Sequence, residues 1–404
     1  MKTLICISTG QPLANLIPVL HFKPEKILLI ATESFKSKAS MFRDMVRDMA
    51  QNPDGGPGVS VQMITGCPDT GIADITRFIE EKVIPHVTDH SQTIVNLTGG
   101  TKLHSFVIYQ MLEKKTADII YVDTQNRHLE HYPRSGQPPY TEMLPSVLTI
   151  DITLKGMGKK RITTESDNKA WQNAVRQRQP LTKFMVEHIG KLQQLIGQLN
   201  TAIDQAYKDR SVYKQAKSVD LFSFPKDLEA RVLEQGQALG ILKWNGGKRL
   251  DFESHHKARY FAGNWMEEYA WLCAHPIGFE ELACNVQFAN LIHNPTENLT
   301  PNEIDLLAVH ANAMLAVECK AATKAKQDDV SQNMFHKLSG VAHRAGGLMC
   351  SKLFLSAFPL TYKNGKDIPS LNHAKEQDIH ILQYEELRHL PDLLTLWRDK
   401  ARFK

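Results

Sequence analysis

Between residues 3 and 123 the sequence switches repeatedly between two periodicities, and this alternation limits the possible folds more than any other feature. Short β-branched or apolar runs at 3–9, 26–32, 59–64, 93–97 and 119–123 are separated by helical patterns at about 13–20, 35–49, 72–86 and 103–114. Repeated strand–helix–strand units predict an α/β domain with a parallel sheet covered on both faces, because each parallel pair needs a crossover. Ligands of such sheets gather at the carboxyl ends of the strands. Two polar loops stand at such ends: Ser8-Thr9-Gly10-Gln11-Pro12 after the first strand, and Asn96-Leu97-Thr98-Gly99-Gly100-Thr101-Lys102 after the fourth.

The second loop leaves a strand and opens a helix. Gly99 and Gly100 permit close backbone approach, Thr98 and Thr101 supply hydroxyls, and the helix N-terminus turns free N–H groups toward an anion. Lys102 adds a positive charge, so phosphate or a nucleotide is the natural partner. The loop is neither G-x-G-x-x-G nor G-x-x-x-x-G-K-[ST], which argues against a dinucleotide fold and against an ATPase.

Beyond Gly156-Met157-Gly158-Lys159-Lys160 the strand–helix pattern breaks. Residues 180–213 become helical, with Phe184, His188, Leu192, Leu195, Leu199 and Ile203 at three- and four-residue steps. Residues 228–252 read as a helix and a short hairpin, a small winged-helix-like module. From about 258 a mixed α/β unit begins, with a helix at 263–272, strands at 281–288, 303–309, 314–320 and 348–356, a helix at 327–345 and a last strand at 379–382. The expected divisions are therefore 1–155, 156–257 and 258–404.

A chain of 404 residues and 45.7 kDa suits two or three cores. It has no apolar run of about 18 residues, so no membrane span is expected. The apolar start is too short for a secretory signal. Six cysteines, at 6, 67, 273, 284, 319 and 350, form no C-x-x-C pair and suit a reducing cytoplasm rather than a disulfide or zinc scaffold. Net charge is only +4, so composition does not announce a nucleic-acid binder. The local cluster of Lys159, Lys160, Arg161, Arg176 and Arg178 has the charge to touch phosphate, but reads better as a solvated linker.

The most chemically informative stretch is Glu303-Ile304-Asp305-Leu306-Leu307-Ala308-Val309, a short connector, and Met314-Leu315-Ala316-Val317-Glu318-Cys319-Lys320. Two apolar runs so joined predict a hairpin. A turn centred between Ala311 and Asn312 sets Asp305 opposite Glu318, and a four-residue loop, 310–313, keeps the same pairing. Lys320, two residues on, shares the face of Glu318. Two carboxylates suit Mg²⁺ or Mn²⁺. Such an ion lowers the pKa of bound water and neutralises charge on a phosphate being cut. The adjacent lysine orients the water or stabilises the pentacovalent anion. The helix before the hairpin offers Glu267 or Glu268 as a further ligand, and periodicity leaves both open. The helix after it carries Asp328, Gln332, His336 and Lys337, of which Gln332 and Lys337 are candidates for positioning the scissile phosphate.

This arrangement resembles the PD-(D/E)xK nuclease superfamily, with Asp305 as the first acid, Glu318-x-Lys320 as the (D/E)-x-K and an upstream helix glutamate. Gly263-x-Trp265-Met266-Glu267 looks like the opening of one branch, which favours Glu267 over Glu268. The residue before Asp305 is Ile304 where the family signature has proline. The T-G-G-T-K loop, with Ser8-Thr9-Gly10-Gln11-Pro12-Leu13-Ala14-Asn15, is similar to CARF (CRISPR-associated Rossmann fold) domains. The order of Rossmann-like domain, helical connector and restriction-endonuclease-like domain resembles the ancillary nucleases of type III CRISPR systems. That resemblance implies a homodimer whose CARF domains enclose a cyclic oligoadenylate, usually cyclic tetra-adenylate. Ligand binding would then switch on cutting of DNA, RNA or both with Mn²⁺ or Mg²⁺. It implies Thr9, Gly10, Gln11, Asn15, Thr98, Gly99, Gly100, Thr101 and Lys102 at the ligand.

Three other readings compete. A ring nuclease would degrade its own cyclic ligand in the CARF domain. A DNA-binding regulator would use the middle module and leave the hairpin inert, but Asp227, Glu229 and Glu234 around Lys226 and Arg231 speak against a recognition helix. A restriction endonuclease with a specificity domain would leave the T-G-G-T-K loop unexplained.

Overall fold

The computed structural model describes residues 2–50, 58–124, 126–133, 136–291, 301–321, 327–360 and 368–403, with the side chains of residues 50 and 327–332 outside that description. The first domain is built from β1 (Thr3–Ile7), α1 (Leu13–Phe22), β2 (Lys26–Thr32), α2 (Lys36–Ala50), β3 (Ser60–Cys67), α3 (Ile72–Phe78), β4 (Thr93–Asn96), α4 (Lys102–Leu112), β5 (Asp118–Asp123), β6 (His128–Pro133) and β7 (Tyr140–Met143). Its sheet runs β3-β2-β1-β4-β5-β6-β7. The first five strands are parallel, as the alternation predicts, and β6 and β7 add an antiparallel edge. Strand order reverses between β1 and β4, so the loops that follow these two strands face one another across the crevice.

The chain then forms α5 (Ile150–Gly156), β8 (Lys159–Thr163), α6 (Lys169–Glu187), α7 (Ile189–Ala206), β9 (Lys217–Asp220), α8 (Leu228–Ala238), β10 (Lys243–Trp244), β11 (Arg249–Phe252) and α9 (His255–Ala258). The expected helix-plus-hairpin module is there, with β9 completing a small sheet in the order β10-β11-β9. The last part comprises α10 (Trp265–Ala274), β12 (Glu281–Asn290), β13 (Asn302–His310), β14 (Ala313–Lys320), α11 (Gln327–Gly346), β15 (Cys350–Ser356), α12 (Ser370–Glu376), β16 (Ile379–Gln383) and α13 (Leu390–Lys400). Its mixed sheet runs β16-β15-β14-β13-β12-β8.

Two features depart from the linear reading of the sequence. The Lys159-Lys160-Arg161 stretch is no solvated linker: it is edge strand β8, paired antiparallel with β12. Arg161 pairs with Asp151 and Glu281, and Arg178 binds Glu268. The helices α6 and α7 also share one apolar cluster with α10, β13, β14, β15 and α13, so much of the connector is core of the C-terminal unit.

A second cluster crosses the boundary between the units. It runs from Leu4, Leu16, Leu29 and Leu154 into Phe288, Leu307, Ala316, Phe335 and Phe354 without interruption. A shared apolar core of this kind joins the first domain and the C-terminal unit rigidly, unlike the polar interfaces of freely moving domains.

Candidate active site and sensor loops

Strands β13 and β14 pair from His310↔Ala313 to Leu306↔Val317, the register that sets Asp305 against Glu318. Ala311 (φ 48°) and Asn312 (φ 63°) both lie in the left-handed region, as a two-residue type I′ turn requires. Ala-Asn is a poor local choice for that turn, and tertiary bonding compensates. The buried Asn312 side chain accepts N–H groups of Val147 and Leu148 and donates to Pro145 O. The hairpin tip is thereby tied to the segment leaving the first domain.

The β13–β14 ladder ends at Leu306/Val317, and beyond it a side chain replaces a backbone partner. Cys319 N–H donates to Asp305 Oδ2 at 2.6 Å. The apolar alternation slips at the same place. Leu306 packs with the α10 cluster, whereas Ile304 joins Phe335 of α11. On β12 the residue between the paired Cys284 and Val286 is Asn285, with φ 53°. Asp305 therefore sits at a break in strand phase, buried and aimed at the end of β14.

Asp305, Glu318 and Lys320 converge there. Lys320 Nζ lies 2.6 Å from Glu318 Oε1, and Lys337 Nζ on α11 lies 3.7 Å from the same oxygen. Burial pushes the Asp305 carboxyl well above the usual carboxylate range. The charges of Glu318 and Glu267 push it further, against Lys320 and the Cys319 N–H. Burial pulls Lys320 down, but Glu318 and Asp305 outweigh it and leave the ammonium above its ordinary range. An ammonium beside two acids can donate hydrogen bonds and stabilise anions.

The two upstream acids separate cleanly. Glu268 is buried and gripped by Arg178, with Nε–Oε2 at 2.9 Å and Nη2–Oε1 at 2.6 Å. Glu267 Oε2 accepts from Asn285 Nδ2 at 3.0 Å, and its carboxyl is held up at about 7 chiefly by burial. Asn285 Nδ2 also donates to Glu165, which pairs with Arg259. Asn285, Glu165 and Arg259 escaped the sequence reading, since no local pattern links positions so distant along the chain. Among the described residues no three His, Cys, Asp or Glu side chains already stand at metal-binding spacing. The donor set nonetheless has the chemistry of a divalent-cation site: buried oxygen ligands whose mutual repulsion a cation would relieve. On α11, His336 meets Gln377 at 3.0 Å. Asp328 and Gln332 belong to the same helix, but their side chains lie outside the described residues.

In the first domain, the loops after β1 and β4 meet as expected, yet their residues divide into scaffold and surface. Asn15 is buried, donating to Ile7 O at 2.7 Å and accepting from Asn96 at 2.9 Å. Thr98 accepts Val122 N–H and bonds Asn96 Oδ1. Both side chains hold the loops together from beneath. Thr101 caps α4 in a reciprocal capping box with His104, whose ring also reaches Pro68 O. Lys102 and Thr101 are exposed, and Thr9, Gly10 and Gln11 are half-buried. Ser8, Thr9 and Gly10 border a cavity of about 800 Å³ together with Lys38, Lys155 and Lys159. Lys38 is a cation at the first loop that no sequence pattern singled out.

The glycine pair serves packing. A Cβ at Gly99 would stand 2.4 Å from Ile7 O, and Gly100 has φ 79°. Gly99→Ala is expected to destabilise the chain by about 1–3 kcal/mol through overpacking, read as a lower midpoint in denaturant unfolding. An unchanged midpoint would show that the loop yields freely.

Comparison with known families assigns both ends of the chain. Residues 3–151 match the Card1 CARF domain, and residues 254–401 match the Card1-like endonuclease domain. The chain carries a Card1 CARF domain at one end and a Card1-like endonuclease domain at the other. Can2 from Sulfobacillus thermosulfidooxidans, solved in complex with cyclic tetra-adenylate, has the same fold (TM-score 0.73, 20% identity, 98% of this chain and 99% of that chain). So does protein VC1899 from Vibrio cholerae (TM-score 0.79, 17% identity, 100% of this chain and 99% of that chain). No curated protein matches.

One contact links the first CARF loop to the turn that ends α11 in the endonuclease domain. Leu348 N–H, in the turn that ends α11, donates to Gln11 Oε1 at 3.4 Å. Gly347, at φ 62°, leaves room for it, since a Cβ there would come within 2.8 Å of that oxygen. The helix so touched by the β1 loop is the one that carries Lys337 to Glu318.

Proposed function

We propose that this chain is a homodimeric nuclease of type III CRISPR antiviral defence, activated by cyclic tetra-adenylate and dependent on Mn²⁺ or Mg²⁺, that hydrolyses phosphodiester bonds of DNA, RNA or both. The observation that carries the reading is a chain of contacts from loop to acid: Gln11 on the first CARF loop, the turn after α11, Lys337 on that helix, and Glu318. Thr9, Gly10, Gln11, Thr101 and Lys102 are read as ligand contacts, with Asn15, Thr98, Gly99 and Gly100 shaping the loops. A rotationally symmetric ring is best matched by two identical CARF surfaces across a two-fold axis.

In the endonuclease domain Asp305, Glu318 and Glu267 would hold the divalent ion, which when bound lowers the pKa of water and neutralises phosphate charge. Lys320, kept protonated by its acidic neighbours, stabilises the anionic transition state by hydrogen bonding. Glu318 Oε1 holds Lys320 in line, and Lys337 draws the scissile phosphate to the same point. For the ligand to switch cutting on, it must bind the active arrangement more tightly than the resting one. An apolar core shared by the CARF and endonuclease domains resists their moving apart, so the change is expected in how two protomers meet.

The test incubates full-length protein with plasmid, single-stranded DNA and RNA, with and without cyclic tetra-adenylate and Mn²⁺. Wild type is expected to cut only with both additions. Glu318→Ala should lose cutting yet bind the ring, and Lys102→Ala should need more ring for the same rate. Cutting indifferent to the ring would remove the activation half of the proposal; cutting that survives Glu318→Ala would remove the catalytic half.

A further inference from the structure

The chain displays two phenylalanines that the fold does not use. Phe222 and Phe224, in the loop between β9 and α8, are 71% and 58% exposed. Isolated surface apolar residues need no explanation, but a pair on one rigid loop does. The loop is anchored at nearly every residue. Leu221 is buried and its N–H donates to Lys248 O. The buried Gln198 of α7 accepts Phe222 N–H at 2.7 Å and Ser223 N–H at 3.3 Å. Gln198 and Gln194 both donate to Ser223 Oγ, and Lys248 Nζ donates to Phe222 O at 2.8 Å. A segment fixed this firmly presents its rings by construction.

Its position and charge suggest what covers the rings. The helix that anchors the loop, α7, also braces the ends of the catalytic strands from another of its faces. Asn200 donates to Ala321 O, directly after Lys320, and Gln193 donates to Ala357 O, whose own N–H reaches Lys320 O. The loop that bears the rings is therefore anchored on the same helix that braces the end of the strand carrying Glu318 and Lys320. The Lys248 ammonium lies 5.1 Å from the centre of the Phe224 ring. An aromatic face beside an ammonium matches a polynucleotide, whose bases stack while its phosphates pair with the cation. In a duplex those base faces are already covered by their neighbours.

We propose that Phe222 and Phe224, with Lys248, form a stacking platform for unpaired bases of a single-stranded substrate leading into the hydrolytic centre. The proposal rests on the nuclease reading above. The two are separated by measuring binding apart from cutting. Labelled single-stranded oligonucleotides are titrated against full-length Glu318→Gln protein, with and without Phe222→Ser/Phe224→Ser, and against the Phe222→Tyr/Phe224→Tyr pair in the same background. The serine pair should weaken binding at least about 10-fold, on the scale of stacking lost per base, and the tyrosine pair should restore it. In otherwise wild-type protein with cyclic tetra-adenylate and Mn²⁺, the serine pair should raise KM for single strands by a similar factor with kcat within about twofold.

Unchanged binding and KM in a folded serine variant would overturn the platform while leaving the nuclease intact. Loss of the dimer in sedimentation would overturn it too, since the rings would then be covered by a second copy of this chain. If wild type cuts nothing, the binding arm still decides the platform.

Discussion

Asp305→Asn is expected to lower phosphodiester cleavage by at least about 10³-fold while raising the thermal stability of metal-free protein. The two effects share one cause. Burial, Glu318 and Glu267 push the Asp305 carboxyl well above the usual range, and burial holds Glu267 up at about 7. For an acid whose folded-state pKa exceeds its unfolded value, the native state holds a proton that the unfolded state has released. Stability is then greatest below the unfolded pKa and falls as pH rises toward the folded one. Metal-free wild type should accordingly lose stability between about pH 4.5 and pH 7, and Mn²⁺ should restore more of it at pH 8 than at pH 5. The asparagine keeps an oxygen for the Cys319 N–H but cannot carry the charge. Its metal-free melting midpoint at pH 8 should rise by ~2 °C or more, with most of the Mn²⁺ response gone. Thermal unfolding in chelator and in Mn²⁺ at both pH values, alongside a cleavage assay, checks each part. A variant that cuts normally, or that melts lower and still responds fully to Mn²⁺, would contradict the assignment.

The parts of this fold that were readable from sequence are those with a local period. The five parallel strands of the CARF domain announced themselves by strand–helix alternation. The β13–β14 register followed from two apolar runs around a short connector, although Ala311-Asn312 looked ill-suited to a tight turn. That turn holds because Asn312 bonds residues 145–148, a contact no local rule supplies. Strand β8 was invisible for the same reason: its basic residues read as solvated, and only pairing with β12 makes them a sheet edge. Helix α10 is buried on nearly all sides, from Trp265 and Met266 to Tyr269 and Trp271, so its apolar pattern could not say which acid points where. Their partners, Asn285 for Glu267 and Arg178 for Glu268, give the two acids different surroundings. Gly99 was read as making room for a ligand; the atom that needs the room is Ile7 O.

Arg178→Ala is expected to destabilise the chain by about 3–5 kcal/mol, although Arg178 is read as touching neither substrate nor metal. Its guanidinium forms a bidentate pair with a Glu268 side chain that is only 6% exposed, and it stacks 5.5 Å from the Tyr260 ring. Removing the arginine leaves a carboxylate enclosed in protein with its main counter-charge gone, and that desolvation is the cost. Burial already lifts the Glu268 carboxyl above its ordinary value, with Arg178 opposing it. Without Arg178 the folded pKa rises further, so the penalty should be smaller at pH 5, where the acid accepts a proton, than at pH 8. Arg178→Ala/Glu268→Gln should recover much of the loss, because a neutral amide tolerates the site better than an unpaired charge. Denaturant unfolding of both single variants and the double variant at the two pH values measures this coupling. Additive effects would mean that the pair does not brace α6 against α10. The folded double variant should still cut, whereas Glu267→Gln should not, because Glu267, bonded to Asn285, is the acid read as a metal ligand.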